Sequence, residues 1–449
     1  MSAPSRRHWQ HLGLFGLGLV ALATVAFLGV QPGSWRDQPG LFAGAALVLG
    51  LCTVLGQEMV RLGPVSRLGL SWILIIGAGL LLGGLRIAPS DDVYRYILEG
   101  EQLRHGQNPY AIAPAAPEAQ ALVTADIYAA INHPHMTAIY PPLALGLHAT
   151  VQATASGPRG FQLCMMALAV MCVGLVTWLL PRMGRDPAAV LTLAWNPVLP
   201  LFVAGEAHHD VAMALLMLIA CAAAGANRPW GAVIATGLAA LVKPFALALI
   251  PALMPAQLHK SAWLRWMLLP VLALLALVVY LPFLDAGSML WASLATYGGE
   301  RHFHGALDPW LRAALRPLVA TAQLELLIRV CLVVVLLGGG WWLHRCFKDV
   351  ALITRAVAFS TLLLLCLPTI HPWYFTMLVV LLPFSDSRIL PVWTAGAGLY
   401  WLHGLRILET GAWTETLWVT AVAHLPIIAG LGLEYQRRVG LFAGIPVRR

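Results

Sequence analysis

Of 20 acidic residues in this chain, six crowd one stretch: Asp91, Asp92, Glu99, Glu101, Glu118 and Asp126. The stretch opens SDDVYRYILEGEQLRHGQNPYAIAP. Two readings of Asp91-Asp92 are open. Paired carboxylates suit the first turn of a helix on a solvated loop, where backbone N–H groups favour negative charge. They also suit proton abstraction from a hydroxyl, because like charges side by side raise the pKa of one partner. A second group, Glu206, His208, His209 and Asp210, lies in WNPVLPLFVAGEAHHDVAM. It is either an interfacial turn or the lining of a site, since titratable groups pressed against hydrocarbon are otherwise costly. Lys243, in ALVKPFAL, either snorkels to the interface or meets an anion such as a phosphate. His371, Trp373 and Tyr374, in LPTIHPWYF, read as an aromatic belt. They read equally as a phosphate donor beside ring faces suited to a sugar or a prenyl chain. Glu300, Arg301, His302 and His304 add to the same set. The pairs His133/His135, His208/His209 and His302/His304 raise zinc, but no spacing matches a helical motif such as H-E-x-x-H. A divalent metal is neither required nor indicated.

These residues are rare because the chain is built for lipid. Its 449 residues are 59% hydrophobic and 11% charged, with a mean hydropathy of +0.76, against roughly 25% charged in a soluble domain. That excludes a soluble enzyme and a disordered chain. A nucleic-acid binder is excluded too, because the net charge of +8 is not gathered into a patch. An all-α, polytopic transmembrane bundle remains. Apolar runs of spanning length fall at 12–30, 41–57, 68–85, 161–180, 188–204, 211–226, 263–284, 324–343, 352–367, 389–405 and 416–433. Shorter runs at 230–242 and 245–254 flank Lys243-Pro244, and another covers 374–384, so about 11–14 spans are expected. The first run follows Arg6 and Arg7 and contains Ala21-Leu22-Ala23, a passable signal cleavage pattern. Its apolar stretch continues beyond that point and reads as an uncleaved anchor. Six of the seven cysteines fall inside spans and none is placed for a disulfide. No fixed-period or inverted repeat is visible.

Lys and Arg concentrate in short cytoplasmic loops. With the N-terminus inside, that side collects Arg6, Arg7, Arg61, Arg67, Arg182, Arg185, Arg228, Lys260, Arg265, Arg345, Lys348, Arg355, Arg388, Arg437, Arg438, Arg448 and Arg449. The chemistry-bearing groups above then all face outward. Counting 141–157 as a span would invert everything after it, so this run is expected to lie at the outer face or dip into it. A helix over 91–103, capped by Ser90, is expected to rest Val93, Tyr96 and Ile97 on the bilayer. The chain divides into N-terminal spans (12–85), an outer loop (86–160), core spans (161–284), a second outer loop (285–323) and C-terminal spans (324–433), all in one domain.

The order SDDVYRYILEGEQLRHGQNPYAIAP, YPPLALGLHA, WNPVLPLFVAGEAHHDVAM, LVKPFALALIP, HPWYF resembles bacterial polyprenol-phosphate-mannose-dependent mannosyltransferases. These belong to the C-type (GT-C) fold of membrane glycosyltransferases, and the resemblance runs from about 68 to 385. It implies transfer of a hexose, read as mannose, from a polyprenyl-phosphate donor to a glycan, lipid or protein acceptor. The site would lie on the outer face of a bacterial inner membrane, with inversion and without a nucleic-acid partner. The general base maps onto Asp91 or Asp92, with Asp91 favoured. Substrate contacts map onto Tyr94, Arg95, Asn108, Tyr110, Glu206, His208, Asp210, Lys243, Arg301, His371 and Tyr374. Where relatives often read H-N-D, this chain has His208-His209-Asp210; where they carry an aromatic-Asn pair, it has Phe303-His304. The rival reading is a transporter or lipid flippase. Such proteins place charge near the bilayer midplane, often within inverted repeats.

Overall fold

Apolar runs punctuated by proline and glycine become helices throughout the computed structural model, which describes residues 3–258, 262–300, 302–347 and 350–443. The N-terminal helices are α1 (Ala3–Leu28), α2 (Pro39–Arg61) and α3 (Arg67–Gly84). The outer segment holds α4 (Asp92–Arg104), α5 (Pro117–Gln120), α6 (Ala125–Ala129) and α7 (Pro142–Thr154). The central part contains α8 (Gly157–Arg182), α9 (Leu191–Ala194), α10 (Asp210–Gly225), α11 (Pro229–Val242), α12 (Leu249–Leu258) and α13 (Ala262–Tyr280). Then follow α14 (Met289–Glu300), α15 (Asp308–Leu315), α16 (Thr321–Cys346) and α17 (Leu352–Cys366). The chain closes with α18 (Thr376–Val379), α19 (Ile389–Ala395), α20 (His403–Thr410) and α21 (Leu417–Ala443). The bundle is all-α, with no strand among the described residues.

Among the described residues, seven helices are long and apolar enough to cross a membrane: His8–Leu28, Pro39–Arg61, Arg67–Gly84, Gly157–Arg182, Leu269–Ala286, Gln323–Cys346 and Leu417–Gln436. The protein is therefore a multi-pass membrane protein. An eighth, expected as one run over 188–204, is bent by 55° between Pro187–Ala194 and Val198–Gly205. Asn196 makes the break, its carbonyl oxygen accepting from Val198 N at 3.1 Å and its amide donating to Thr394 Oγ1 at 2.9 Å. Beyond it the helix is π-wound, so Glu206 N reaches back to Leu201 O at 2.9 Å. Gly84 lets this strained segment approach: a Cβ there would lie 2.1 Å from Pro200 O. The remaining apolar runs are shorter than a straight span needs. The run around Lys243 is two helices, because Pro244 drives Lys243 into an extended conformation. The run at 389–405 divides into α19, a 3₁₀ stretch and α20.

The outer segment differs from expectation in one respect. Val93, Tyr96 and Ile97 do not rest on lipid; they are buried in the principal core together with Ala144 and Val151 of α7 and Phe161 of α8. Gly100 makes that packing possible, since a Cβ there would stand 2.8 Å from the carbonyl of His148. The helix amphipathicity was legible, but protein rather than bilayer covers its apolar face. At 13 residues α7 is about 20 Å long, too short to cross roughly 30 Å of hydrocarbon.

Several residues assigned to the cytoplasm meet one another. Arg61 pairs with Glu58 at 2.7 Å, Arg388 with Glu58 at 3.3 Å and Arg185 with Asp386 at 2.5 Å. Arg355 departs from the loop reading. It is buried, and its guanidinium donates to the carbonyls of Pro251 and Ala252. Lys260, Lys348, Arg448 and Arg449 lie outside the described residues.

Candidate active site

The start of α4 puts two carboxylates into one cavity by different means. Ser90 binds the loop to the bent helix, its N–H donating to Glu206 O at 3.2 Å, while its hydroxyl accepts from Asp92 N at 3.3 Å. Asp91 takes the cap position and is held by Arg36, at 2.9 Å, from the α1–α2 connection. Asp92 accepts a 2.7 Å hydrogen bond on Oδ1 from the Asn132 amide, and its Oδ2 lies 3.9 Å from His208 Nδ1. Burial, then the Asp91 charge, pushes the Asp92 carboxyl up to about 6, against the Asn132 hydrogen bond, which favours the anion. Burial also pushes Glu206 up to about 8.

Asn132 is itself positioned by Arg95. This buried guanidinium pairs with Glu99 at 3.1 Å and donates to the carbonyls of His133, Met136 and Thr137 at 3.0, 2.9 and 3.2 Å. Arg95 thus spends its donors on the loop that aims Asn132 at Asp92. Glu99 stays below the ordinary glutamate range despite burial, because His148 and Arg95 favour the anion.

A stack of rings adjoins the carboxylates. His208 lies against Trp373, centroids 3.5 Å apart and 12° from parallel, and Trp373 stacks on His371 at 4.5 Å and 4°. His371 Nδ1 shares a 2.8 Å hydrogen bond with the Tyr400 hydroxyl, and its Nε2 lies 3.3 Å from the Tyr297 hydroxyl. Tyr297 in turn meets Tyr374 at 3.3 Å. Ala207 is buried at φ +63°, a left-handed conformation unusual for a residue with a Cβ. It turns the chain sharply between Glu206 and His208.

The cavity holds about 690 Å³, a size suited to small ligands. Asp91, Asp92, Arg95, Glu206, His371 and Tyr374 line it, as the sequence placed them together; His208 stands just behind Trp373. Lys243 and Asp210 do not line it. They form a buried 2.7 Å ion pair, and the Lys243 ammonium rests 4.0 Å from the centroid of the Tyr374 ring, itself part of the lining. Tyr94, Asn108 and Tyr110 also lie outside the lining. Asn108 donates to Asp285 at 2.6 Å and Tyr110 to Tyr140 O at 2.6 Å, fastening the outer segment to its neighbours. Arg301 lies outside the described residues. Among the described residues no group of three or more His, Cys, Asp and Glu side chains is placed to share an ion.

A family profile described as alpha-(1->6)-mannopyranosyltransferase, N-terminal domain, matches residues 12–259, more than half of the chain. The chain belongs to that family. It is similar to the alpha-(1->6)-mannopyranosyltransferase A of Corynebacterium glutamicum, at 23% identity over 87% of each chain. It is also similar to the protein of that name from Mycobacterium tuberculosis, at 24% identity over 67% of this chain and 62% of the relative. No solved structure matches it. Family membership makes the protein a membrane glycosyltransferase of a mannosyl-transferring kind, and removes the transporter reading.

The cavity of this mannosyltransferase is also lined by residues that the sequence did not single out. Trp35, Arg36, Asn132, Tyr140, Tyr297, Tyr400, Trp401, Trp413 and Glu415 all line the cavity. Arg36 had one signal, a lone Trp-Arg-Asp in the loop QPGSWRDQPG, otherwise made of turn residues. Tyr140 stood inside the YPPL motif. Trp401 and Trp413 had none, because tryptophan at a span end is ordinary.

Proposed function

We propose that the protein moves a mannosyl unit from a polyprenyl-phosphate carrier to a hydroxyl of a glycan acceptor at the outer face of a bacterial inner membrane, inverting the anomeric carbon. The observation that carries this reading is the unequal environment of the two carboxylates. Asp91 is paired with Arg36, whereas Asp92 is pushed up to about 6 and has beside it the His208 ring at 3.9 Å, which burial keeps neutral. A carboxylate paired with arginine is a poor proton acceptor; one pushed toward neutrality is a good one. We therefore assign the general base to Asp92 and give Asp91 the task of holding Arg36.

In the transfer, the acceptor oxygen bonds to the anomeric carbon as that carbon's bond to the phosphate oxygen breaks. Asp92 takes the acceptor proton, and the electron pair leaves with polyprenyl phosphate. The departing phosphate is already a stable anion, so donors rather than an acid suffice to receive it. Tyr297, His371 and Tyr374, which line the same cavity, supply them. Lys243, paired with Asp210, supports that wall through Tyr374 instead of touching the phosphate.

The test is turnover of labelled polyprenyl-phosphate mannose by the full chain in lipid, with an oligomannoside acceptor. Asp92→Asn is expected to lower kcat by about 10² to 10⁴, the usual contribution of a general base. Asp91→Asn is expected to lower it less. Wild-type turnover in Asp92→Asn would remove the mechanism.

A further inference from the structure

The cavity has a second face that the transfer chemistry leaves unused. Trp35 stacks toward Trp401 with centroids 6.5 Å apart and 23° from parallel, and meets Trp413 edge-on at 5.7 Å. Phe303 stacks on Trp413 at 5.2 Å and 26°. Four rings from the α1–α2 connection, the second outer loop and the segment around α20 thus form one continuous wall, all of it lining the cavity. Trp413 is 40% exposed, so its face is available to a ligand, whereas Phe303 and Trp401, at 7% and 1%, are buried and back the wall. Charged groups rim the wall. Arg36 lies over the Trp35 ring at 5.2 Å while gripping Asp91 at 2.9 Å. Glu415 accepts from His304 N at 3.0 Å and from Thr420 at 2.6 Å, which hold it at the wall's edge.

We propose that the wall of Trp35, Phe303, Trp401 and Trp413, rimmed by Arg36 and Glu415, is the platform that binds the acceptor glycan. A pyranose offers a weakly polar C–H face to electron-rich ring faces, and hydroxyls at its edge to carboxylate and guanidinium groups. A prenyl chain would match the rings but would strip water from Arg36, Asp91 and Glu415 without replacing their hydrogen bonds. Arg36 links the wall directly to the carboxylate pair, so a sugar resting there presents a hydroxyl beside Asp92. The phosphate-bearing donor is left the part of the cavity lined by Tyr297, His371 and Tyr374, which meets the wall at Tyr400. Three of the four rings lie beyond residues 12–259, so the platform is assembled across the bundle. The inference rests on the mannosyl-transfer reading for its choice of sugar.

The experiment measures KM separately for polyprenyl-phosphate mannose and for an α-(1→6)-linked oligomannoside, using the full chain in lipid. Trp413→Ala is expected to raise the acceptor KM about tenfold, a loss of roughly 1.4 kcal/mol, with the donor KM moving less than about twofold. Trp413→Tyr, which keeps a ring face, is expected to stay within about twofold of wild type for both. A rise in the donor KM instead, or no change in either, overturns the assignment. Equilibrium binding of the same oligomannoside, fluorescently labelled, separates this inference from the donor reading. If the wild-type protein consumes no polyprenyl-phosphate mannose, the donor reading fails. Oligomannoside binding that weakens about tenfold in Trp413→Ala would still support the wall, and binding equal in both proteins would overturn it.

Discussion

At the residue scale, the site turns on two neighbours given opposite tasks by what lies next to them. Asp91 meets Arg36; Asp92 meets an amide and an imidazole. Two consequences follow for pH. As the base, Asp92 must be ionised, so kcat/KM should rise through a midpoint of about 6 and level off above it. A profile flat from pH 5 to 8 would contradict that. For stability the sign reverses. A carboxyl raised to about 6 when folded, against roughly 3.9 when unfolded, binds its proton more tightly in the native state. Its stabilising share is present below the unfolded value and lost as pH rises through about 6. Asp92→Asn should therefore melt above wild type at pH 8, with the gap closing toward pH 4. Melting below wild type at pH 8 would show that the ionised form is stabilised instead. The carboxylate pair was legible in the sequence because acids are scarce here. Which of the two is basic was not, because Arg36 stands 55 positions away in the chain.

At the scale of elements, the site depends on how closely α4 lies against α7. That closeness is set by Gly100, whose Cβ would intrude on the His148 backbone, where neither chain can give way as a side chain can. Gly100→Ala should push α4 outward and shift Asp92 from its partners. A displacement near 1 Å is enough to cost on the order of 10² in rate, so a loss of at least about tenfold is expected. Gly146→Ala, on α7 itself, meets nothing within 4 Å and is the control. It should be active and as stable as wild type or more so, by up to about 1 kcal/mol, since alanine is the better helix former. Full activity in Gly100→Ala would remove the claim that this contact places the base. Helix existence was readable from apolar runs, and so was the break at Lys243-Pro244. The bend at Asn196 was not, because a run of apolar residues looks alike whether it winds as α or π.

At the scale of the whole molecule, the arrangement of charge is the testable quantity. Arg61, Arg185 and Arg388 gather with Glu58 and Asp386 at the bundle end assigned to the cytoplasm, while Arg36, Asp91, Glu206 and His371 share the cavity. If that cavity faces outward, the exposed native Cys346 should resist a membrane-impermeant maleimide in intact spheroplasts and react after lysis. A cysteine placed at exposed Glu118 should react in both. The reverse pattern would turn the protein over and put the proposed transfer on the wrong side.

Composition and the placement of Lys and Arg settled by themselves that this is a helical membrane protein, and motif order settled its kinship. Those properties are local or additive: hydropathy sums along a segment, and a motif is read in place. The tertiary structure alone decided that Lys243 pairs with Asp210, that Arg95 braces the loop carrying Asn132, and that Arg36 sits on Asp91 while Asn132 sits on Asp92. It also decided that tryptophans from opposite ends of the chain make one wall. The reason is the same in each case. A buried charge or ring takes its role from its nearest partner, and in a bundle the nearest partner is supplied by packing between helices far apart in sequence.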